Sequence, residues 1–116
     1  VEKLTLEKEQ LIETKLPGKY TFIVKLNKDF CISKGFSRQD FGVRITTNEF
    51  LQSIIQETGP LLASSCNISG QSPCSNTTEI INQFENTPLN VVEGTVEDNT
   101  PSTIISIIDD IKIIRP

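Results

Sequence analysis

The chain has 116 residues, a formal net charge of −4 and 36% hydrophobic residues. This fits one small folded domain rather than a disordered segment. It contains no histidine and only three cysteines, which excludes a histidine-based catalytic triad and the usual zinc sites. We therefore expect no metal and no other cofactor. No run of about 18 apolar residues occurs, so we expect no membrane insertion.

The charges are unevenly distributed along the chain. Residues 1–58 carry nine Lys/Arg and eight Asp/Glu, whereas residues 59–116 carry two basic and seven acidic residues. Because an acidic surface repels phosphate backbones, we expect no nucleic acid among the partners. The expected partner is another protein, and a homo-oligomer is a second option.

The first half of the chain predicts strands followed by a helix. Residues 1–9 read as a first strand or a flexible N-terminal arm, and Pro17-Gly18 predicts a turn. Residues 19–26 alternate strictly, with aromatic and branched side chains on one face, which is typical of a strand. An irregular stretch rich in Phe and a short strand at 43–47 follow. Asn48 then resembles an N-cap before a helix that Gly59-Pro60 ends.

The second half predicts another helix and a β-hairpin. Asn76 and Glu79 match the capping pattern of a short helix that ends before Pro88. Residues 89–96 read as a strand, and residues 104–114, with seven isoleucines, as a central strand paired with it. The predicted fold is α+β: a single domain, 1–116, with a mainly antiparallel sheet, two short helices in the middle and a C-terminal hairpin.

Two short segments are similar to strands of known families. Residues 107–113 resemble the closing strand of carbohydrate-binding jelly rolls. Residues 92–96 are similar to a strand of oligonucleotide-binding barrels. Segments of seven and five residues assign no family.

The cysteines suggest a compartment. Cys66 and Cys74 bracket a polar stretch rich in turn-forming residues, and a disulfide between them would order it. Cys31 lies in an apolar context and is expected to be a buried, inert thiol. Asn67 and Asn76 each begin an N-glycosylation sequon. Together these features predict a secreted or cell-surface protein, with the cytoplasm as the alternative.

The same stretch offers the candidate binding residues. From residue 61 to residue 78 the chain has no charged side chain, and loops on a rigid scaffold often carry binding residues. The candidates are Asn67, Ser69, Gln71, Ser72 and Asn76.

A pair of carboxylates interrupts the isoleucine segment. On strict alternation Asp109 shares the more apolar face, where an ionised carboxylate is costly unless it is paired. Asp109 and Asp110 could turn outward at a bulge, pair with a cation, or act as functional carboxylates. The pair is therefore predicted as a possible buried carboxylate.

Three functions fit these observations. The first is a non-catalytic recognition or accessory module of an exported protein, acting through protein contacts. The second is an intracellular subunit or oligomerisation domain with reduced cysteines. The third is a carboxylate-dependent enzyme that uses Asp109 or Asp110.

Overall fold

A computed structural model describes residues 1–94, 96 and 100–116. Chain contacts divide it into two compact units, residues 1–57 with 101–116 (unit 1) and residues 58–100 (unit 2). The elements in chain order are α1 (Leu6–Lys15), β1 (Tyr20–Lys25), α2 (Lys28–Ser33), β2 (Asp40–Val43), α3 (Glu49–Thr58), α4 (Thr77–Gln83), β3 (Thr103–Ser106) and β4 (Lys112–Arg115).

Unit 1 is built on a four-stranded sheet in the order β2-β1-β3-β4. The outer pairings, β1 with β2 and β3 with β4, are antiparallel. The central pairing of β1 with β3 is parallel, with Tyr20 opposite Thr103 and Ile23 opposite Ser106. The predicted combination of a sheet with helices is confirmed. The sheet is mixed and not mainly antiparallel, because β1 and β3, which come from the two ends of the chain, pair in parallel.

The core of unit 1 lies on one face of this sheet. Phe22, Val24, Ile105 and Ile107 are buried, each 5% exposed or less. Phe22 and Val24 alternate along β1, as the sequence pattern predicts. The partly buried side chains that pack against this core are Leu4, Leu11, Ile12, Leu16, Tyr20, Leu26 and Val43.

Helix α1 occupies residues that the sequence assigned to a strand or an arm. The Thr5 hydroxyl accepts a hydrogen bond from the Lys8 amide (3.4 Å), and Glu7 and Glu9 lie in the first turn. These are favourable N-terminal features of a helix. The alternation of Leu4 and Leu6 misled the sequence reading. Leu11 and Ile12, not Leu6, contact the core.

The isoleucine-rich end of the chain forms two strands, so the prediction of one long central strand is wrong. Residues 107–111 turn the chain, and β4 returns antiparallel to β3. The predicted strand at 89–96 is also absent where the structure describes it, at 89–94 and 96. Its Val96 amide donates instead to the Ser75 carbonyl (2.7 Å). Thr95 and 97–99 of the predicted hairpin lie outside the described residues.

The two predicted middle helices are confirmed as α3 and α4. Asn48 accepts from the Leu51 amide (3.0 Å), and Asn76 accepts from the Glu79 amide (2.9 Å). The Phe-rich stretch predicted as a loop also contains a short helix, α2, capped by Asn27. Within the described part of the chain, no helix is long and apolar enough to cross a membrane.

Replacing the most buried aromatic of the sheet tests this core. Phe22→Ala removes a side chain that is 1% exposed, and we expect a loss of about 3–5 kcal/mol in the free energy of unfolding. Val92→Ala, at a residue 73% exposed, should change it by less than about 0.5 kcal/mol. Urea unfolding followed by circular dichroism measures both. Equal effects of the two substitutions would contradict the assigned core.

Candidate functional site

The central feature of unit 2 is a loop without charge, residues 61–76, called here the neutral loop. The Cys74 amide donates to the Cys66 carbonyl (3.0 Å) and closes it on itself. Inside it, the Gln71 amide donates to the Ile68 carbonyl (2.9 Å). Gly70 in this turn has φ of 86°, a conformation that glycine adopts without steric cost. The loop is therefore held by its own backbone.

Asn67 organises the middle of the neutral loop. Its side-chain amide donates to the carbonyls of Ile68 and Gln71, both at 3.0 Å. Its side-chain oxygen is hydrogen-bonded to the Ser65 hydroxyl. The preceding residue, Cys66, has φ of 56°, which is unusual for a residue other than glycine. Backbone outliers of this kind concentrate at functional sites, where the surrounding contacts hold them in place.

Helix α4 clamps the neutral loop through one side chain. The Gln83 carbonyl oxygen accepts from the Ile68 amide (2.5 Å), and the Gln83 amide donates to the Ser72 carbonyl (3.2 Å). One glutamine thus satisfies a main-chain donor before the turn and a main-chain acceptor just after it.

The junction between the neutral loop and α4 is a reciprocal cap. Asn76 caps the helix, and the Glu79 carboxylate accepts from the Ser75 amide (2.6 Å). The Thr77 hydroxyl accepts from the Gly94 amide (2.9 Å), which ties the returning chain to the same helix end. These bonds fix the direction in which the loop leaves α4.

An open cleft of about 920 Å³ lies between the neutral loop and α4. Its walls are hydroxyl, amide and backbone groups with one carboxylate. The lining residues are Gly70, Gln71, Ser72, Pro73, Ser75, Glu79, Asn82 and Gln83. Glu79, Asn82 and Gln83 share one side of the helix, since they are spaced by three and four residues.

The structure places the five predicted binding residues in different roles. Gln71 and Ser72 line the cleft, and Ser69 is exposed on the loop. Asn67 is engaged in the loop through its side-chain nitrogen and Asn76 in the cap through its side-chain oxygen. Sequence reasoning missed Asn82 and Gln83, although their helical spacing from Glu79 was a usable signal.

All three cysteines are free thiols, with Cys31 and Cys74 buried. Burial raises the pKa of the Cys74 thiol, and the nearby Cys66 thiol and Glu79 carboxylate raise this pKa further. The main-chain bond between Cys66 and Cys74, with the Asn67 and Gln83 contacts, orders the loop. The predicted disulfide is not needed for that order.

The carboxylate pair is exposed, so a buried carboxylate at Asp109 or Asp110 is not found. The two residues lie in the turn between β3 and β4. Lys8 reaches this turn from α1 and donates to the Asp109 main-chain carbonyl (2.6 Å). Among the residues described, no three His, Cys, Asp or Glu side chains are grouped so as to hold a metal ion.

Comparison with known proteins identifies the family. The family whose sequence profile matches is Sua5/YciO/YrdC, described as telomere recombination, and the match covers residues 1–116. The chain belongs to the Sua5/YciO/YrdC family. The fold agrees: the crystal structure of P. abyssi Sua5 complexed with L-threonine superposes with a TM-score of 0.80 at 21% identity. That match covers all of this chain and 35% of the other. A variant of the same protein gives 0.81.

Two curated relatives carry the name threonylcarbamoyl-AMP synthase. The Aliivibrio fischeri protein is 29% identical over 106 residues, covering 90% of this chain and 57% of the relative. The Vibrio campbellii protein is 31% identical over 106 residues, covering 88% and 56%. The chain therefore spans a little more than half the length of these relatives.

The family corrects several predictions. A non-catalytic, secreted, disulfide-bonded binding module is wrong, because the chain belongs to a family whose relatives are named as synthases. The prediction that the chain is not an enzyme is contradicted by the same names, and so is the prediction of a secreted or cell-surface protein. Excluding nucleic acid conflicts with the family, and a protein partner has no support.

The clamp by Gln83 can be tested residue by residue. Gln83→Ala removes the acceptor of the Ile68 amide. We expect the protection of this amide against hydrogen exchange to fall by about 1 kcal/mol, so that its exchange rate rises about fivefold. Gln83→Glu keeps an acceptor oxygen and should leave this amide protected. Amide hydrogen exchange measures both, with Asn82→Ala as a control on the same helix. Identical Ile68 exchange in Gln83→Ala and the parent would refute the clamp.

The environment of Cys74 predicts a pH dependence. Glu79→Gln removes a negative charge that disfavours the thiolate, so the pKa of Cys74 should fall, though not to its ordinary value because burial remains. The pH profile of Cys74 alkylation, followed by mass spectrometry, should therefore move to lower pH. Glu85→Gln, an exposed glutamate beyond the end of α4, is the matched control. A profile that stays in place in Glu79→Gln would show that Glu79 does not act on this thiol.

Proposed function

We propose that this chain is part of a cytoplasmic enzyme that makes threonylcarbamoyl-AMP. The observation that carries the proposal is the family match over residues 1–116. It is supported by two relatives that bear this synthase name. Since the chain spans a little more than half of these relatives, we propose that it supplies one part of the active site.

The neutral loop is the part of this chain that we assign to ligand binding. The product name describes threonine joined through a carbonyl to AMP, so its precursors carry carboxylate, ammonium and phosphate groups. A loop with no charge of its own meets such groups with hydroxyls and main-chain amides and adds no competing ion pair. Ser64, Ser65 and Ser69 are exposed on it. Asn67 holds the loop in shape for this contact.

Charge limits what unit 2 can do alone. Residues 59–100 contain no Lys or Arg, although enzymes that act on nucleotide phosphates balance their charge with cationic side chains or metal ions. We therefore propose that the neutral loop orients the ligand through neutral hydrogen bonds. The positive charge would come from elsewhere in the enzyme.

The role of nucleic acid follows from the product. Threonylcarbamoyl-AMP is an activated group that needs an acceptor, and we propose tRNA for this role because the family acts in tRNA modification. The acidic second half of the chain, with two basic and seven acidic residues, does not suit a surface that grips an RNA backbone. On this proposal the chain takes part in making the activated group and leaves tRNA binding to other surfaces.

The experiment is a product assay with a matched pair of variants. The enzyme is incubated with L-threonine, bicarbonate and ATP, and threonylcarbamoyl-AMP is detected by liquid chromatography and mass spectrometry. Asn67→Ala should lower product formation at least tenfold, because the turn from Ile68 to Gln71 loses the side chain that binds both of its end carbonyls. Asn90→Ala, the same change at an exposed residue outside the loop, should have no effect.

Ligand binding to the 116-residue chain separates binding from turnover. Chemical shift changes on addition of L-threonine or ATP are expected at residues 64–72. No response to either ligand, together with unchanged product formation in Asn67→Ala, would overturn the assignment of the neutral loop.

A further inference from the structure

The neutral loop carries two thiols that lie close together. The Cys74 amide donates to the Cys66 carbonyl (3.0 Å) where the loop closes on itself. With that distance, bond lengths keep the two Cα atoms no more than about 7 Å apart, and a disulfide spans about 4.4–6.8 Å. The Cys66 thiol is also near enough to interact directly with the Cys74 thiol. The main chain therefore holds the pair within reach of a disulfide.

The position of Cys66 is fixed by hydrogen bonds on both sides of it. Its amide donates to the Ser64 hydroxyl (3.2 Å), and its carbonyl accepts from the Cys74 amide. These bonds are made while both cysteines are free thiols, so little further ordering is needed to join the two sulfur atoms. Groups that are already positioned in one molecule react faster than the same groups on separate molecules.

The two thiols differ in their surroundings. Cys66 is half-buried and Cys74 is buried. Burial raises the pKa of the Cys74 thiol, and the Cys66 thiol and the Glu79 carboxylate raise it further. The thiolate is the nucleophile in disulfide exchange, and access to it also limits the rate. A reagent in solution therefore meets Cys66 first, and Cys74 reacts with its neighbour.

We infer that Cys66 and Cys74 form an exchange site for low-molecular-weight disulfides, with Cys66 as the attacking thiol and Cys74 as the resolving thiol. Cys66 loses its proton and attacks one sulfur of the reagent, whose S–S bond breaks and releases a thiolate that takes up a proton. Cys74 then loses its proton and attacks the Cys66 sulfur, which expels the second small thiol. The loop gains one S–S bond, and the reagent receives two electrons and two protons.

The oxidised loop is a transient form and not the permanent bridge of an exported protein. Both cysteines are thiols in the structure, and disulfides of cytosolic proteins are usually catalytic or redox-sensing. This reading of the bond as a response to oxidant rests on the cytoplasmic location proposed above, whereas the exchange chemistry does not. The site therefore makes the neutral loop sensitive to the redox state of its surroundings.

The test treats the reduced 116-residue chain with glutathione disulfide, followed by alkylation of the remaining thiols. Cleavage after glutamate gives a peptide of residues 58–79, which contains Cys66 and Cys74 but not Cys31. We expect this peptide to lose the mass of two hydrogen atoms and to recover both thiols with dithiothreitol, while Cys31 stays alkylated. Two unreacted thiols in the peptide, or a glutathione adduct that never gives way to the bond, would overturn the inference.

Variants separate the two roles. Cys74→Ser removes the resolving thiol, so a glutathione adduct should accumulate on Cys66. In Cys66→Ser the buried Cys74 should react at least tenfold more slowly than Cys66 does in the parent. Cys31→Ser, at a buried thiol of α2, is the matched control and should form the bond at the parent's rate. Reaction of Cys74 at the parent's rate in Cys66→Ser would contradict the assigned order.

The parent peptide decides the inference even where a variant folds poorly, because its mass needs no substitution. None of these readouts involves threonylcarbamoyl-AMP. A failed exchange therefore leaves the product assay untouched, and a failed product assay leaves the exchange site standing.

Discussion

The parallel pairing of β1 with β3 is the constraint on which unit 1 depends. It joins residues 20–23 to residues 103–106, so unit 1 cannot form until the two ends of the described chain meet. Phe22 and Ile105 face each other across this pairing and are both buried. Next to it, the Thr21 and Ser102 hydroxyls are hydrogen-bonded (2.7 Å), and Arg115 donates twice to the Ser102 carbonyl (3.0 and 2.8 Å). Residues 58–100 are thus an insertion between two paired strands.

Local pattern and long-range pairing differ in how far the sequence reveals them. The alternation in β1 and the caps at Asn48 and Asn76 depend on neighbours in the chain, and they were predicted correctly. The parallel pairing depends on contacts some 80 residues apart, for which one sequence holds no direct signal. The isoleucine-rich end was misread because a continuous apolar run does not show where the chain turns. Asp109 and Asp110 mark that turn, and their exposure removes the cost that strict alternation implied.

The neutral loop was identified from composition, but the export predicted from its cysteines and sequons was wrong. Absence of charge between residues 61 and 78 marked it as a binding segment, whereas Cys66, Cys74 and two sequons suggested export. In the structure the same residues serve local order, because Asn67 binds the carbonyls of Ile68 and Gln71 and Asn76 caps α4. The lack of histidine excluded triads but not an adenylate-forming synthase. Hydroxyls and main-chain amides can contribute to such chemistry, and they leave no distinctive spacing in a sequence.

The α3 helix shows why sequence pattern can be correct about an element and silent about its environment. Its apolar spacing predicted the helix, and the same spacing implied a buried face, yet Phe50 is 60% exposed. Helices of this length gain most of their stability from packing rather than from propensity.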